Sequence, residues 1–303
     1  MHKRFYLYFL FFTLLLLFYP GDSEYFHIFS YNRSLFQDDK EGPKLNTISV
    51  PVVKNKTAPE ISAEGVYIVD LDSFAPVYER SAKTRFLPAS TTKVMTALVA
   101  YDIYNPEDVV TVKRVADNGQ TMGLVVGERI TVEKLIYGTL IQSGNDAAYA
   151  LADNYGFDKF VELMNAKAKS LQMSDSHFKN PAGLDTPDQF TTPYDLALAS
   201  RELLKNKYLS KIVSIKEITI SDEDFKYFHT LSNVNKLLGE IQGIGGLKTG
   251  FTEEAGENLI SLYREQNGHD FIIVILKSSD RFEDTTSIVE WLKQNVEYRK
   301  VAF

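Results

Sequence analysis

The sequence predicts an α/β fold with a mainly antiparallel sheet, because strand-like runs stand at both ends of the folded portion and helical periodicity fills the middle. From Gly65 the runs VYIVDLDS and PVYERS form a hairpin round Phe74 and Ala75. Helices follow over Thr131 to Ile141, Asp146 to Asn154 (closed by Gly156) and Phe157 to Leu171. Thr192-Pro193-Tyr194-Asp195 is a helix start, with a capping threonine, proline in the first turn and an acid beside it. Strand signals return at Glu217–Ile220, at GGLKTGFT, and at Asn258–Arg264 and Asp270–Lys277, joined through the turn-forming Gln266-Asn267-Gly268. Ile288, Trp291, Leu292 and Val296 lie on one face of a terminal helix expected to pack on the sheet. With strands first and last, the two ends of this region should meet in space.

Ahead of it, His2-Lys3-Arg4 precedes the apolar run Phe5 to Tyr19 and then Pro20-Gly21. A membrane span wants about 20 apolar residues, so the run suits the core of an export signal over residues 1–23, cleaved or retained as an anchor. Residues 24–60, with Pro43, Pro51 and Pro59 and no sustained period, are expected to be an extended tether, and 61–303 the functional domain. The bulk of the chain is expected to work outside the cytoplasm, and any membrane association to come from residues 5–19.

Composition narrows the chemistry. The chain of 303 residues is 44% hydrophobic and 24% charged, enough to bury a substantial core. A net charge of -7 without a basic block argues against nucleic acid. Cysteine is absent, which removes disulfides, thiolate metal sites and a cysteine nucleophile. His2, His27, His177, His229 and His269 contain no H-x-x-x-H pair, so a zinc peptidase is disfavoured, and neither metal nor cofactor is expected.

Gly243 to Gly250, GIGGLKTG, superficially resembles a phosphate-binding loop. That motif needs glycine directly before its lysine and a helix after it; here Leu247 precedes Lys248, and the pattern beyond is strand, turn, strand. Two other short motifs share this ambiguity. Ser90 and Lys93, in PASTTK, lie three apart at a helix start, hence on one face, where a lysine of depressed pKa could activate the hydroxyl. Taken alone the pair is also an ordinary helix cap and a surface lysine. Ser143-Gly144-Asn145 stands between two helices and reads equally as a turn.

Together, in the order S-x-x-K, S-G-N, K-T-G, the three carry a strong signal. The set resembles the penicillin-binding serine D-alanyl-D-alanine peptidases, and most of all the low-molecular-mass D-alanyl-D-alanine carboxypeptidases. FLPASTTKVMTAL, GERITVEKLIYGTLIQSGNDAAYALA, HFKNPAGLD and GGLKTGFTEEAG add to the likeness, which runs from about Gly65 to about Gln294.

The resemblance implies a β-lactamase/D,D-peptidase-like fold: a mainly antiparallel sheet of about five strands flanked by helices, with an all-helical subdomain inserted. It implies Ser90 as nucleophile, Lys93 as its base and Ser143 as proton relay to the leaving amine. Asn145 would hold the substrate amide. Lys248 and Thr249 would bind the terminal carboxylate, Gly250 would give clearance, and the N–H groups of Ser90 and Phe251 would form the oxyanion hole. The second ammonium, Lys248, is a physical reason for Lys93 to be neutral.

The implied substrate is a peptidoglycan stem peptide ending in D-Ala-D-Ala, with β-lactam antibiotics as covalent inhibitors. A D,D-endopeptidase cutting cross-links stays open as an alternative. A serine β-lactamase is disfavoured because Glu162-Leu-Met-Asn165 falls inside a predicted helix. A non-catalytic penicillin sensor is disfavoured because every matched functional side chain is present. Asn258, in AGENL, stands where many relatives carry cysteine or a small residue, with consequences expected only for local packing.

Overall fold

The structure, a computed structural model, describes residues 2–17, 47–54, 57–116 and 118–302. Gly21–Ser23, the expected cleavage region, and most of the expected tether lie outside the described residues. Helix α1, His2–Leu17, is a separate unit whose side chains are exposed. Among the described residues no helix is long and apolar enough to cross a membrane.

The body Ile48–Val301 is organised by a five-stranded antiparallel sheet. Its strands are β2 (Gly65–Asp70), β3 (Pro76–Arg80), β8 (Ile244–Thr252), β9 (Gly256–Arg264) and β10 (Asp270–Ser278), in the order β3-β2-β10-β9-β8. The early hairpin therefore meets the late strands through the β2–β10 pair, with Phe271 opposite Asp70 and Ile275 opposite Val66. This is the meeting of ends expected from the element order.

Alternation along β10 sends Phe271, Ile273 and Ile275 to one face and Ile272, Val274 and Leu276 to the other. The first set packs with Val66, Ile68 and Tyr263 against the terminal helix, through Ile288, Val289 and Leu292. The second set joins the larger core under the helical half. Both faces are covered, which is why these strands read as nearly continuous apolar runs.

The helical half is built round α2 (Lys93–Ile103), whose residues Lys93 to Ala100 are all buried. Around it lie α3 (Val132–Leu140), α4 (Asn145–Tyr155), α5 (Phe157–Ser170), α6 (Pro193–Lys205) and the short α7 (Lys207–Ile212). Capping follows the sequence signals: Thr131 accepts from Lys134 N, and Thr192 accepts from Asp195 N with Pro193 in the first turn. The terminal helix α8 (Arg281–Asn295) starts at Asp280, whose carboxylate accepts from Phe282 N and Glu283 N.

Three features depart from the sequence reading. Val296 does not continue the terminal helix but opens β11 (Val296–Ala302). That strand pairs with β1 (Thr47–Val53), inside the stretch expected to be an extended tether. Pro51 obscured β1, since proline argues against a central strand but is tolerated in a two-stranded edge ribbon. Two further ribbons were not read as pairs: β4 (Val109–Thr111) with β5 (Arg129–Thr131), and β6 (Glu217–Ser221) with β7 (Phe228–Ser232). Of these strands the sequence signalled only β6.

Candidate active site

The edge strand β8 runs beside a 3₁₀ turn, Ala89–Thr92, that leads into α2. Ser90 sits in that turn and Lys93 opens the helix. The turn is tightly held: Ala89 has φ 47°, and Thr91 Oγ1 donates to Pro88 O at 2.6 Å. Asn258 of β9, fully buried, donates from Nδ2 to Leu87 O at 3.0 Å and to Pro88 O at 3.1 Å, while its Oδ1 accepts from Lys277 N. The asparagine expected to matter only for packing thus ties the sheet to the segment carrying Ser90.

Two glycines allow the approach. A Cβ on Gly250 would lie 3.0 Å from the backbone nitrogens of Ser90 and Thr91. Gly183 has φ 84°, and a Cβ there would overlap the carbonyl of Ala89. Gly183→Ala is expected to cost on the order of 2–4 kcal/mol, from backbone strain plus the clash. A thermal melt of the purified variant checks it, and an unchanged midpoint would show that the turn can yield.

Lys93 Nζ is enclosed by three acceptors: Ser90 Oγ at 2.8 Å, Asn145 Oδ1 at 2.7 Å and Ala182 O at 2.7 Å. A neutral amine fits equally well, keeping two N–H bonds for Asn145 and Ala182 and turning its lone pair to the Ser90 hydroxyl. Burial pulls the Lys93 pKa down to about 7, against an opposing pull from the Asp146 carboxylate. The neighbouring ammonium, given as one physical reason for a neutral Lys93, is not the leading cause; desolvation is.

Across the cleft, Lys248 Nζ donates to Ser143 Oγ at 2.8 Å and to Thr249 O at 2.9 Å. Its pKa lies well below the ordinary lysine value, first through burial and then through the charges of Lys93 and Arg281. Lys248 and Thr249 are both buried although they are adjacent on a strand. A register shift between Ile244 and Leu247 immediately precedes them, and such bulges re-aim side chains. The glycine-rich start of GIGGLKTG therefore belongs to a strand irregularity.

Ser143 has φ 61°, an uncommon conformation for a residue with a side chain. Asn145 heads α4, donates from Nδ2 to Asn118 O at 2.7 Å and gives its backbone N–H to Gln120 O. Ser90, Ser143, Asn145, Thr249, Gly250 and Phe251 line one cleft of about 520 Å³, with Lys93 and Lys248 buried behind it. The cleft thus gathers all eight residues singled out from the sequence.

This arrangement has known counterparts. A family model described as D-alanyl-D-alanine carboxypeptidase matches residues 52–280. The chain belongs to that family. A D-alanyl-D-alanine carboxypeptidase of Streptomyces sp. (strain K15) is 31% identical over 258 residues, covering 78% of this chain and 88% of that protein. The D-alanyl-D-alanine carboxypeptidase DacF of Bacillus subtilis is also 31% identical, over 72% of this chain and 58% of its own length. This chain thus spans little more than half of that longer relative.

Among solved structures, the Streptomyces K15 DD-transpeptidase is similar with a TM-score of 0.73 and 32% identity, covering 78% of this chain and 98% of that one. A D-alanyl-D-alanine carboxypeptidase from Mycobacterium tuberculosis is similar at a TM-score of 0.74 and 27% identity, over 80% and 96%. The expected fold class, an antiparallel sheet flanked by helices with a helical half inserted, is that of these D,D-peptidase structures.

For this member of the D-alanyl-D-alanine carboxypeptidase family, sequence reasoning passed over several cleft residues, among them one arginine. Arg281, at the start of α8, lines the cleft and donates from Nη1 to Gly250 O at 2.8 Å. Its Nε is buried without a hydrogen-bond partner, with Glu257 Oε2 at 3.9 Å. Nothing in Ser-Ser-Asp-Arg-Phe marks this arginine in the sequence, because what distinguishes it is the placement of α8 beside β8.

Proposed function

We propose that this chain is a serine-type D-alanyl-D-alanine carboxypeptidase that removes the terminal D-alanine of peptidoglycan stem peptides through an acyl-enzyme on Ser90. The observation that carries this reading is the Ser90 Oγ to Lys93 Nζ distance of 2.8 Å, with a fully buried amine whose pKa is lowered to about 7. Lys93 in its neutral form takes the hydroxyl proton as Oγ attacks the penultimate carbonyl. The N–H groups of Ser90 and Phe251 receive the developing oxyanion. The proton taken by Lys93 is relayed through the Ser143 hydroxyl, held by Lys248, to the leaving amine, and water then hydrolyses the acyl-enzyme.

Asn145 keeps one Nδ2 hydrogen for the substrate carbonyl while the other stays on Asn118 O. The terminal carboxylate meets Lys248, Thr249 and Arg281. β-Lactams acylate the same serine. Residues 1–23 act as export signal or anchor, residues 24–60 link it to the catalytic domain over 61–303 while contributing β1 to that body, and the enzyme works in the bacterial cell envelope.

The test measures D-alanine release from diacetyl-lysyl-D-alanyl-D-alanine beside cleavage of a cross-linked muropeptide. Release of D-alanine with the cross-link intact is the expected result; cleavage of the cross-link alone would replace this reading with an endopeptidase. Arg281→Gln is expected to raise KM for the peptide roughly 10- to 100-fold with a smaller change in kcat, since a charge-assisted hydrogen bond contributes about 1.5–3 kcal/mol. An unchanged KM would remove Arg281 from carboxylate binding.

A further inference from the structure

The cleft wall formed by Gly119 and Gln120 belongs to the segment between β4 and β5, and it is fastened from behind by ionisable groups that the reaction itself does not use. Asp146, fully buried next to Asn145, accepts from the backbone nitrogens of Met122, Gly123 and Leu124 at 2.9–3.1 Å. On the outer side, His229 of β7 reaches in. Its Nε2 lies 2.7 Å from Glu128 Oε1 and its Nδ1 lies 3.2 Å from Met122 O. Glu128 Oε2 accepts from Val125 N, so the carboxylate spans the end of the same segment. His229 and Glu128 are both buried.

Both imidazole nitrogens thus face acceptors, one a carbonyl and one a carboxylate. A neutral ring carries one N–H and can satisfy only one of them; the doubly protonated ring satisfies both and neutralises Glu128. We propose that His229, as an imidazolium clamped between Glu128 and Met122, is a positioning residue that holds the Asn118–Gln120 wall against Asn145.

The connection to the chemistry is short. Asn118 O and Gln120 O accept from Asn145, and Asn145 Oδ1 accepts from Lys93 Nζ. Releasing Met122 loosens the wall that sets the Asn145 amide and, through it, the general base.

The ionisable groups acting on the imidazole are acidic. The hydrogen bond to Glu128 is the largest influence, and the Glu128 and Asp146 charges act in the same direction, so the His229 pKa is raised above its ordinary value despite burial. At the rim of this seam Asp224 pairs with both Arg129 and Lys226, and Lys134 pairs with Glu223. A raised folded pKa means that the clamp is complete below about 6.5 and is lost as pH rises through the folded value.

The inference rests on Ser90 and Lys93 being the acylating pair. Its test follows the rate of Ser90 labelling by fluorescent penicillin against pH in the full chain. In the unsubstituted protein the rate is expected to fall on the alkaline side, with a midpoint matching the His229 imidazole titration followed by NMR.

Glu128→Gln removes the anion and should move that falling limb to lower pH. His229→Gln should abolish the limb and lower labelling about tenfold at neutral pH, the scale of one lost buried hydrogen bond. A folded His229→Gln protein with the original pH profile would overturn the proposal, even with a lower melting temperature, since a merely structural contact changes stability alone. Should a variant not fold, the unsubstituted protein decides, because a labelling midpoint that departs from the imidazole titration overturns the proposal. Absence of all labelling would instead refute the serine peptidase reading.

Discussion

Ser90→Ala eliminates both D-alanine release and covalent labelling by fluorescent penicillin, with a loss of peptidase turnover of roughly 10⁴-fold or more. The side chain removed makes one hydrogen bond, to Lys93 Nζ, and lies in a turn held by Thr91, Asn258 and the backbone. The fold should therefore survive, and a melting temperature within a few degrees of the parent separates lost chemistry from lost structure. Persistence of either signal in a folded Ser90→Ala protein would place the acyl group elsewhere. The two assays carry different information, since labelling reports acylation alone whereas D-alanine release also requires the acyl-enzyme to be hydrolysed.

The second large effect concerns the base. Because the charged form of Lys93 is disfavoured by burial, with a pKa near 7, the fraction able to accept a proton is small in acid. Acylation should fall about tenfold per pH unit well below 7 and approach a plateau above it, before the separate alkaline fall that follows the His229 imidazole. Lys93→Met keeps an unbranched side chain of similar length but has no lone pair on nitrogen. It should lower acylation by roughly 10²–10⁴-fold, the usual contribution of a positioned base, and flatten the acid limb. Acylation that keeps both its magnitude and its acid limb in this variant would exclude Lys93 as the base. In that event Lys248, whose pKa is also depressed, becomes the group to substitute next.

Much of this was legible in the sequence, for physical reasons that differ by element. Strands β2, β9 and β10 are buried on both faces, so their apolar runs stand out, and Thr192-Pro193 fixes a helix start locally. The three short motifs S-x-x-K, S-G-N and K-T-G were legible as a set because each needs particular side chains at a fixed spacing. Arg281 was not legible: it owes its place to the packing of a helix against a strand over 30 residues away in sequence. His229 and Glu128 were equally hidden, because they lie 101 residues apart and neither belongs to a motif. Which cause would dominate the depressed Lys93 pKa was hidden for the same reason, as the depth of burial is a property of the assembled core.

The antiparallel pairing of β2 with β10 also has a consequence for how the protein comes into being. Asn258, which braces the turn before Ser90, is separated from Leu87 by 171 residues, and Lys93 meets Asn145 only when the helical half has closed. Non-local pairings of this kind make folding slow, because the entropy of closing long loops is spent before the contacts compensate for it. Ser90 thus has neither Lys93 set against Asn145 nor its supporting strand until nearly the whole chain is in place. The contacts of Ser90 with Lys93, and of its turn with Asn258, therefore arrive together with the completed sheet.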